Sequence, residues 1–177
     1  MLFRSLALNG FKADVRVADA ERLPFADNSF DIAYSWGVLH HSPDTARAVS
    51  EVRRVLRPGG RALVMIYHRA SLVGVMLWLR YGLFRGRPLK SLQSIYSQYL
   101  ESPGTKAYSI GEARTLFNGF SRITTSIQLS PGDALEGASG QRHQGIAIEL
   151  ARRIWPRSLI KRNLRRYGLF LLVDAVK

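Results

Sequence analysis

Residues Ala62–Tyr67 (ALVMIY) are apolar almost without a break. A run this short and this continuous needs cover on both faces, as a parallel strand inside an open α/β sheet has. Pro58-Gly59-Gly60 stands before it and stops whatever lies upstream. There, Val49, Val52, Val55 and Leu56 recur at helical spacing, with Arg47, Glu51, Arg53 and Arg54 largely on the other side. Ser42-Pro43 offers that helix a start, because serine caps free N–H groups and proline loses nothing at the first position. Phe30–Trp36 reads as a strand, residues 21–29 as a loop, and Val15–Ala18 as a short buried strand ending at Asp19. Strand, loop, strand, helix, strand is the rhythm of an open α/β sheet, whose ligands sit beyond the carboxyl ends of its strands.

The remainder is less regular. Leu2–Leu8 reads as a helix stopped by Asn9-Gly10, and Ala70–Phe84 as a mostly apolar helix. Residues 85–108 read as an excursion from the sheet, Ile110–Phe117 as a helix, Ile123–Leu129 as a strand and 130–145 as a glycine-containing loop. Ile146, Leu150 and Ile154 mark a helix that Pro156 ends; the basic run Arg157–Arg166 and a last strand, Leu169–Val176, follow. The 177 residues are one domain's length. Cysteine is absent, which excludes disulfides, thiolate metal sites and a thiol nucleophile. No apolar run reaches the roughly 18 residues of a membrane span. Lys plus Arg number 26 against 13 Asp plus Glu. A net charge of +13 suits anionic partners (nucleic acid, an anionic membrane surface or acidic substrates) or is an ordinary basic surface. No helix-turn-helix, zinc-finger or RNA-binding signature accompanies it.

Four pieces stand in order between Ala18 and Gly60: Asp19-Ala20 before Leu23-Pro24-Phe25, then Ser29-Phe30-Asp31, then Val38-Leu39-His40-His41, then Arg54–Gly60. Together they resemble the class I S-adenosylmethionine-dependent methyltransferases, especially the type 11 group. Met65–Arg69 (MIYHR), Glu101–Ser109 (ESPGTKAYS) and the final LFLLVDAVK extend the likeness to most of the chain. The resemblance implies a Rossmann-like sheet with helices on both faces and S-adenosylmethionine as cofactor. It implies transfer of a methyl group to a small-molecule or lipid-like acceptor. Asp19 would accept a hydrogen bond from the adenine amino group, or else cap its own loop. Ala20 and Leu23 would cover the adenine, with Phe25 and Phe30 as core anchors. Tyr34, Ser35, Trp36 and Gly37 would lie near the methionine part of the cofactor. His40 and His41 would position the acceptor or act as a base; a base is needed only where the acceptor loses a proton. Tyr67, His68, Arg69, Trp78, Arg142 and His143 are weaker substrate-side candidates. Adjacent histidines share no face of a helix or strand, and no Asp/Glu/His cluster lies at ligand spacing, so no metal site is expected.

The family pattern begins with a strand, a glycine-rich turn around the cofactor's amino-acid end, and a second strand ending in a ribose-binding acid. Neither precedes Asp19. The expectation is therefore a partial methyltransferase domain over residues 1–177, lacking the first two strands of the family fold, with a substrate-side insertion or cap in 70–145. In the family sheet those strands lie between Val15–Ala18 and Phe30–Trp36. Without them a central strand has an open apolar edge that invites self-association. The alternatives are an inactive structural fragment and a basic nucleic-acid-binding module. A cytoplasmic protein is expected, with peripheral membrane contact through the apolar and basic 70–90 region.

Overall fold

The computed structural model describes Gly10, residues 13–136, Arg153 and residues 155–177. The helices expected over Leu2–Leu8 and, but for Arg153, Ile146–Ile154 lie outside the described residues.

Strand β1 (Phe30–Trp36) leads through a 3₁₀ turn at Leu39–His41 into α1 (Thr45–Val55). Asp44, not Ser42, caps α1: its carboxylate accepts from the Arg47 N–H at 2.9 Å. Ser42 instead closes the 3₁₀ turn, and its hydroxyl donates to Glu21. Strand β2 (Leu56–Tyr67) starts directly after α1. Its pairing with β1 jumps from Phe30↔Leu56 to Ile32↔Arg61, so residues 57–60 bulge out of the ladder. Gly59, at φ +78°, makes the bulge possible. The Pro-Gly-Gly stop is thus a strand bulge as well as a helix terminator.

Helices α2 (Leu72–Tyr81), α3 (Leu92–Tyr99) and α4 (Ile110–Leu116) follow. Then come β3 (Arg122–Gln128), α5 (Arg157–Asn163) and β4 (Phe170–Val176). The four strands lie in the order β1-β2-β4-β3. β1 and β2 are parallel, and β4 runs antiparallel to both β2 and β3. The result is a mixed sheet with flanking helices.

Ala62, Val64 and Ile66 of β2 and Leu171, Val173 and Ala175 of β4 share the core with Val49 and Val52 of α1 and with Ala113 and Phe117. A second cluster joins α2 and α3 through Leu77, Tyr81, Ile95 and Tyr96, with Leu169 beneath. Ser71 and Ser91 cap these two helices, and the Tyr96 hydroxyl bonds Ser71 and the Arg69 carbonyl.

One expectation is corrected, and two segments gain structure that the sequence left unassigned. Val15–Ala18 is not a strand: Val15 is 51% exposed and Val17 fully exposed. Among the described residues β1 is the edge of the sheet, so this segment has no ladder to join. The excursion at 85–108 contains α3, and the basic run Arg157–Arg166 is largely helical. Among the described residues, no helix is long and apolar enough to cross a membrane.

Leu171 is fully buried where β4 meets the helical layer. Leu171→Ala is expected to lower unfolding stability by about 2–5 kcal/mol, read as a lower urea midpoint with an unchanged slope.

Candidate functional site at the carboxyl ends of β1 and β2

Parallel pairing brings the carboxyl ends of β1 and β2 to one rim. After Trp36 the chain turns at Gly37, whose φ is +71° and whose N–H donates to the Met65 carbonyl at 3.1 Å. A Cβ there would be strained and would meet Met65 Cε at 3.3 Å. After Tyr67, His68 pairs with Tyr108, which holds residues 105–109 against the rim. The Lys106 ammonium locks the arrangement by donating to the carbonyls of Ser42 and Pro43, at 2.8 and 2.5 Å.

Four side chains from distant segments meet on this rim. The His40 ring lies 4.3 Å from that of His41 and 4.2 Å from that of Tyr67, centroid to centroid. His40 is fully buried, and neither ring nitrogen has a hydrogen-bond partner. Burial, with a smaller contribution from His41, pulls its pKa down to about 3, so it is neutral in ordinary buffers. The Tyr67 hydroxyl donates to Glu101 Oε2 at 2.7 Å. Burial, then the Glu101 carboxylate, pushes that phenol well above its usual value. His41 Nε2 lies 3.4 Å from the same carboxylate oxygen.

A second arm is the loop before β1. Asp19 is exposed, and its Oδ1 accepts from the Glu21 N–H at 2.9 Å. Glu51 of α1 is buried and accepts from the Leu23 N–H at 3.0 Å. Arg54 donates to both Glu51 oxygens at 2.9 Å and to the carbonyls of Leu23 and Phe25, at 3.0 and 2.8 Å. The Arg54 hydrogen bond holds the Glu51 carboxyl below the usual carboxylate range. One α1 ion pair therefore fastens the loop at Leu23 and Phe25 to α1.

Residues 3–64 match the family model described as a methyltransferase domain. The chain is 46% identical over 57 residues to 27-O-demethylrifamycin SV methyltransferase of Amycolatopsis mediterranei, covering 29% of this chain and 21% of that one. It is 29% identical over 136 residues to demethylmenaquinone methyltransferase of Desulfitobacterium hafniense, covering 73% of this chain and 53% of that one. A solved SAM-dependent methyltransferase from Thermotoga maritima superposes with a TM-score of 0.54 at 22% identity, over 89% of this chain and 61% of that one. The first third of the chain is thus similar to a methyltransferase domain, and its fold is similar to that of solved SAM-dependent methyltransferases. The chain spans about a fifth to a half of the length of these two curated relatives.

The expected site residues fall into three groups. His40, His41 and Tyr67 come together on the rim, and Gly37 makes the turn that leads to them. Tyr34 and Trp36 stack at 6.3 Å on the exposed side of β1, while the Ser35 hydroxyl is buried with no partner. Asp19 caps its own turn, Ala20 packs against the core, and Leu23 is fastened to Glu51. Phe25 and Phe30 meet edge to face at 5.0 Å, with Phe30 37% exposed; they brace the loop rather than fill the core.

The remaining candidates are otherwise engaged. His68 Nδ1 lies 3.1 Å from the Gly168 carbonyl, and Arg69 pairs with Glu112 at 2.7 Å. Trp78 donates to the Pro88 carbonyl at 3.2 Å within the second core cluster. Arg142 and His143 lie outside the described residues. The spacing argument against a histidine–acid cluster does not hold. The rings of His40 and His41 approach within a 3₁₀ turn, where helix and strand facing rules do not apply, and Glu101 reaches them from far along the chain.

Glu51→Gln leaves Arg54 with a neutral partner. It is expected to destabilise the chain by about 2–3 kcal/mol near neutral pH and to speed proteolysis within residues 21–28. A depressed folded pKa contributes stability that is full above the unfolded value and is lost as pH falls through the folded one. The wild-type stability should therefore fall below about pH 4.3 more steeply than that of Glu51→Gln, measured by urea denaturation at stepped pH.

Proposed function

We propose that this chain is part of an enzyme that transfers a methyl group from S-adenosylmethionine to a small-molecule or lipid-like acceptor. The carrying observation is the parallel β1–β2 pair, whose carboxyl ends gather Gly37, His40, His41 and Tyr67 on one rim. Asp19, Ala20 and Leu23 would border the adenine, and Tyr34, Ser35, Trp36 and Gly37 the methionine end. The Ser35 hydroxyl, buried and unpartnered, suits a polar cofactor atom. The sulfonium is an already activated donor. The protein's task is to align the acceptor with the methyl group in a dry pocket. His41, within reach of Glu101, would take a proton from an acceptor that must lose one; Tyr67 would shape the acceptor's side.

The sheet supports the reading that the first two strands of the family fold are not among the described residues. β1 ends it with Ile32, Tyr34 and Trp36 at 60, 69 and 47% exposure. In the family this position is central. Copies of the chain would pair through this edge.

A second, compatible reading is a cytoplasmic protein that contacts membranes peripherally. Leu83, Phe84 and Leu89 are 43, 79 and 98% exposed, and Arg80, Arg85 and Arg87 flank them. An apolar tip ringed by cations suits an anionic lipid surface.

Calorimetry should find S-adenosylmethionine binding to the 177-residue chain weaker, by tenfold or more, than to a chain extended upstream by in-frame codons. Each lost polar contact to a charged group is worth about 1–3 kcal/mol. Equal affinity would overturn the missing-strand reading, and no binding to either chain would overturn the cofactor. In sedimentation assays the chain should bind phosphatidylglycerol vesicles but not phosphatidylcholine vesicles, less so as salt rises. Phe84→Asp together with Leu89→Asp should abolish that binding; unchanged binding by the double variant would sink the membrane reading.

A further inference from the structure

The rim cluster gathers ligand-type groups that its own hydrogen bonds do not all occupy. His41 Nδ1 lies 3.2 Å from Ser102 Oγ and 3.4 Å from Thr105 Oγ1. The Ser102 hydroxyl can share a proton with Nδ1 in either direction. His41 Nε2 lies 3.4 Å from Glu101 Oε2, so either a proton on that nitrogen or a bound cation joins the two. The Tyr67 hydroxyl, donating to the same oxygen, holds the carboxylate in place. His40 adds a second demand: it is fully buried beside His41, and both of its ring nitrogens are without partners.

We propose that His40, His41 and Glu101 form a binding site for a late first-row divalent metal ion of the zinc type. One ligand atom from each residue lies within 4.8 Å of the others. Two imidazoles and one carboxylate are a donor set for zinc and its neighbours rather than for magnesium or calcium, which prefer all-oxygen shells. Ligands held about 2.0–2.2 Å from one ion must close up from the observed spread. Glu101, whose side chain is 57% exposed, has the freedom to swing inward. Tyr67 on the carboxylate, and Ser102 with Thr105 on His41 Nδ1, are the groups that would orient the ligands from behind. The inference does not rest on the methyl-transfer reading, and its test uses neither cofactor nor acceptor.

The intact chain, stripped with a chelator, is titrated with zinc by calorimetry and with cobalt by visible absorption. The expected result is one ion per chain, with a cobalt spectrum of low-coordinate nitrogen and oxygen ligation. Glu101→Gln alters an exposed side chain and should keep the fold, checked by circular dichroism. It and His41→Asn should each weaken zinc binding at least about tenfold. Asp14→Asn, at an exposed carboxylate paired with Arg16, should bind like the wild type. No binding by the wild type, or wild-type affinity in both Glu101→Gln and His41→Asn, overturns the proposal. So does loss of binding in Asp14→Asn alone. His41 ring ¹⁵N chemical shifts that do not change in excess zinc overturn it as well.

Discussion

The rim exists because β2 runs parallel to β1. An antiparallel partner would send Tyr67 to the opposite end of the sheet from Trp36, and the histidine turn would have nothing to close against. Parallel pairing needs a crossover, and α1 is that crossover, packing Val49 and Val52 onto β2 and β4. β4 then enters antiparallel on the other side of β2 and seals it from solvent. β2 is consequently hydrogen-bonded on both sides, and Val64, Met65 and Ile66 are buried in succession. The strand that bears the site is thus held in place by the rest of the sheet.

Two cations convert this frame into a site. Arg54 fastens residues 23–27 to α1 through Glu51, and Lys106 fastens the start of α1 to the segment carrying Thr105 and Tyr108. Both bind backbone carbonyls that lie outside regular ladders. Such carbonyls carry an energetic penalty if buried unpaired, so a long cation that collects several of them is an economical clamp. Much of the basic charge in this region is therefore internal tethering. The exposed arginines around Phe84 differ in kind, since they flank apolar side chains in solvent rather than loop carbonyls.

What the sequence made legible follows from where packing is local. β1, β2 and β4 were readable because their apolar runs answer to the sheet alone, and α4 because Ser109 and Glu112 form a capping box at its start. α3 was hidden: Ser91, Ser94 and Ser97 dilute its apolar stripe, and its fit depends on Tyr96 reaching Ser71 and Arg69 across space. Val15–Ala18 failed for the converse reason. Its β-branched pattern is that of a strand, but a strand is made by its neighbours. At the site, the histidines and Tyr67 could be named from the motif and the strand end. Glu101 could not, because nothing in its local sequence marks it as facing His41. The fully buried Asp133 is similar: its role, accepting from the N–H groups of Ser130 and Leu169, is set by tertiary structure.

The distribution of unsatisfied polar atoms points the same way as the motif. Native interiors leave few buried polar groups without partners, and those that remain call for a physical reason. Among the described residues four such side-chain atoms are found, on Ser35, His40 and Gln93. Three of the four belong to Ser35 and His40, at the carboxyl end of β1 and in the turn beyond it. A core that tolerated poor packing would scatter its orphans. Their concentration at this rim means that the fold accepts a desolvation penalty where β1 and β2 end. Such a penalty would be recovered by a polar group of a ligand entering at this rim, as the proposed reading of the site requires.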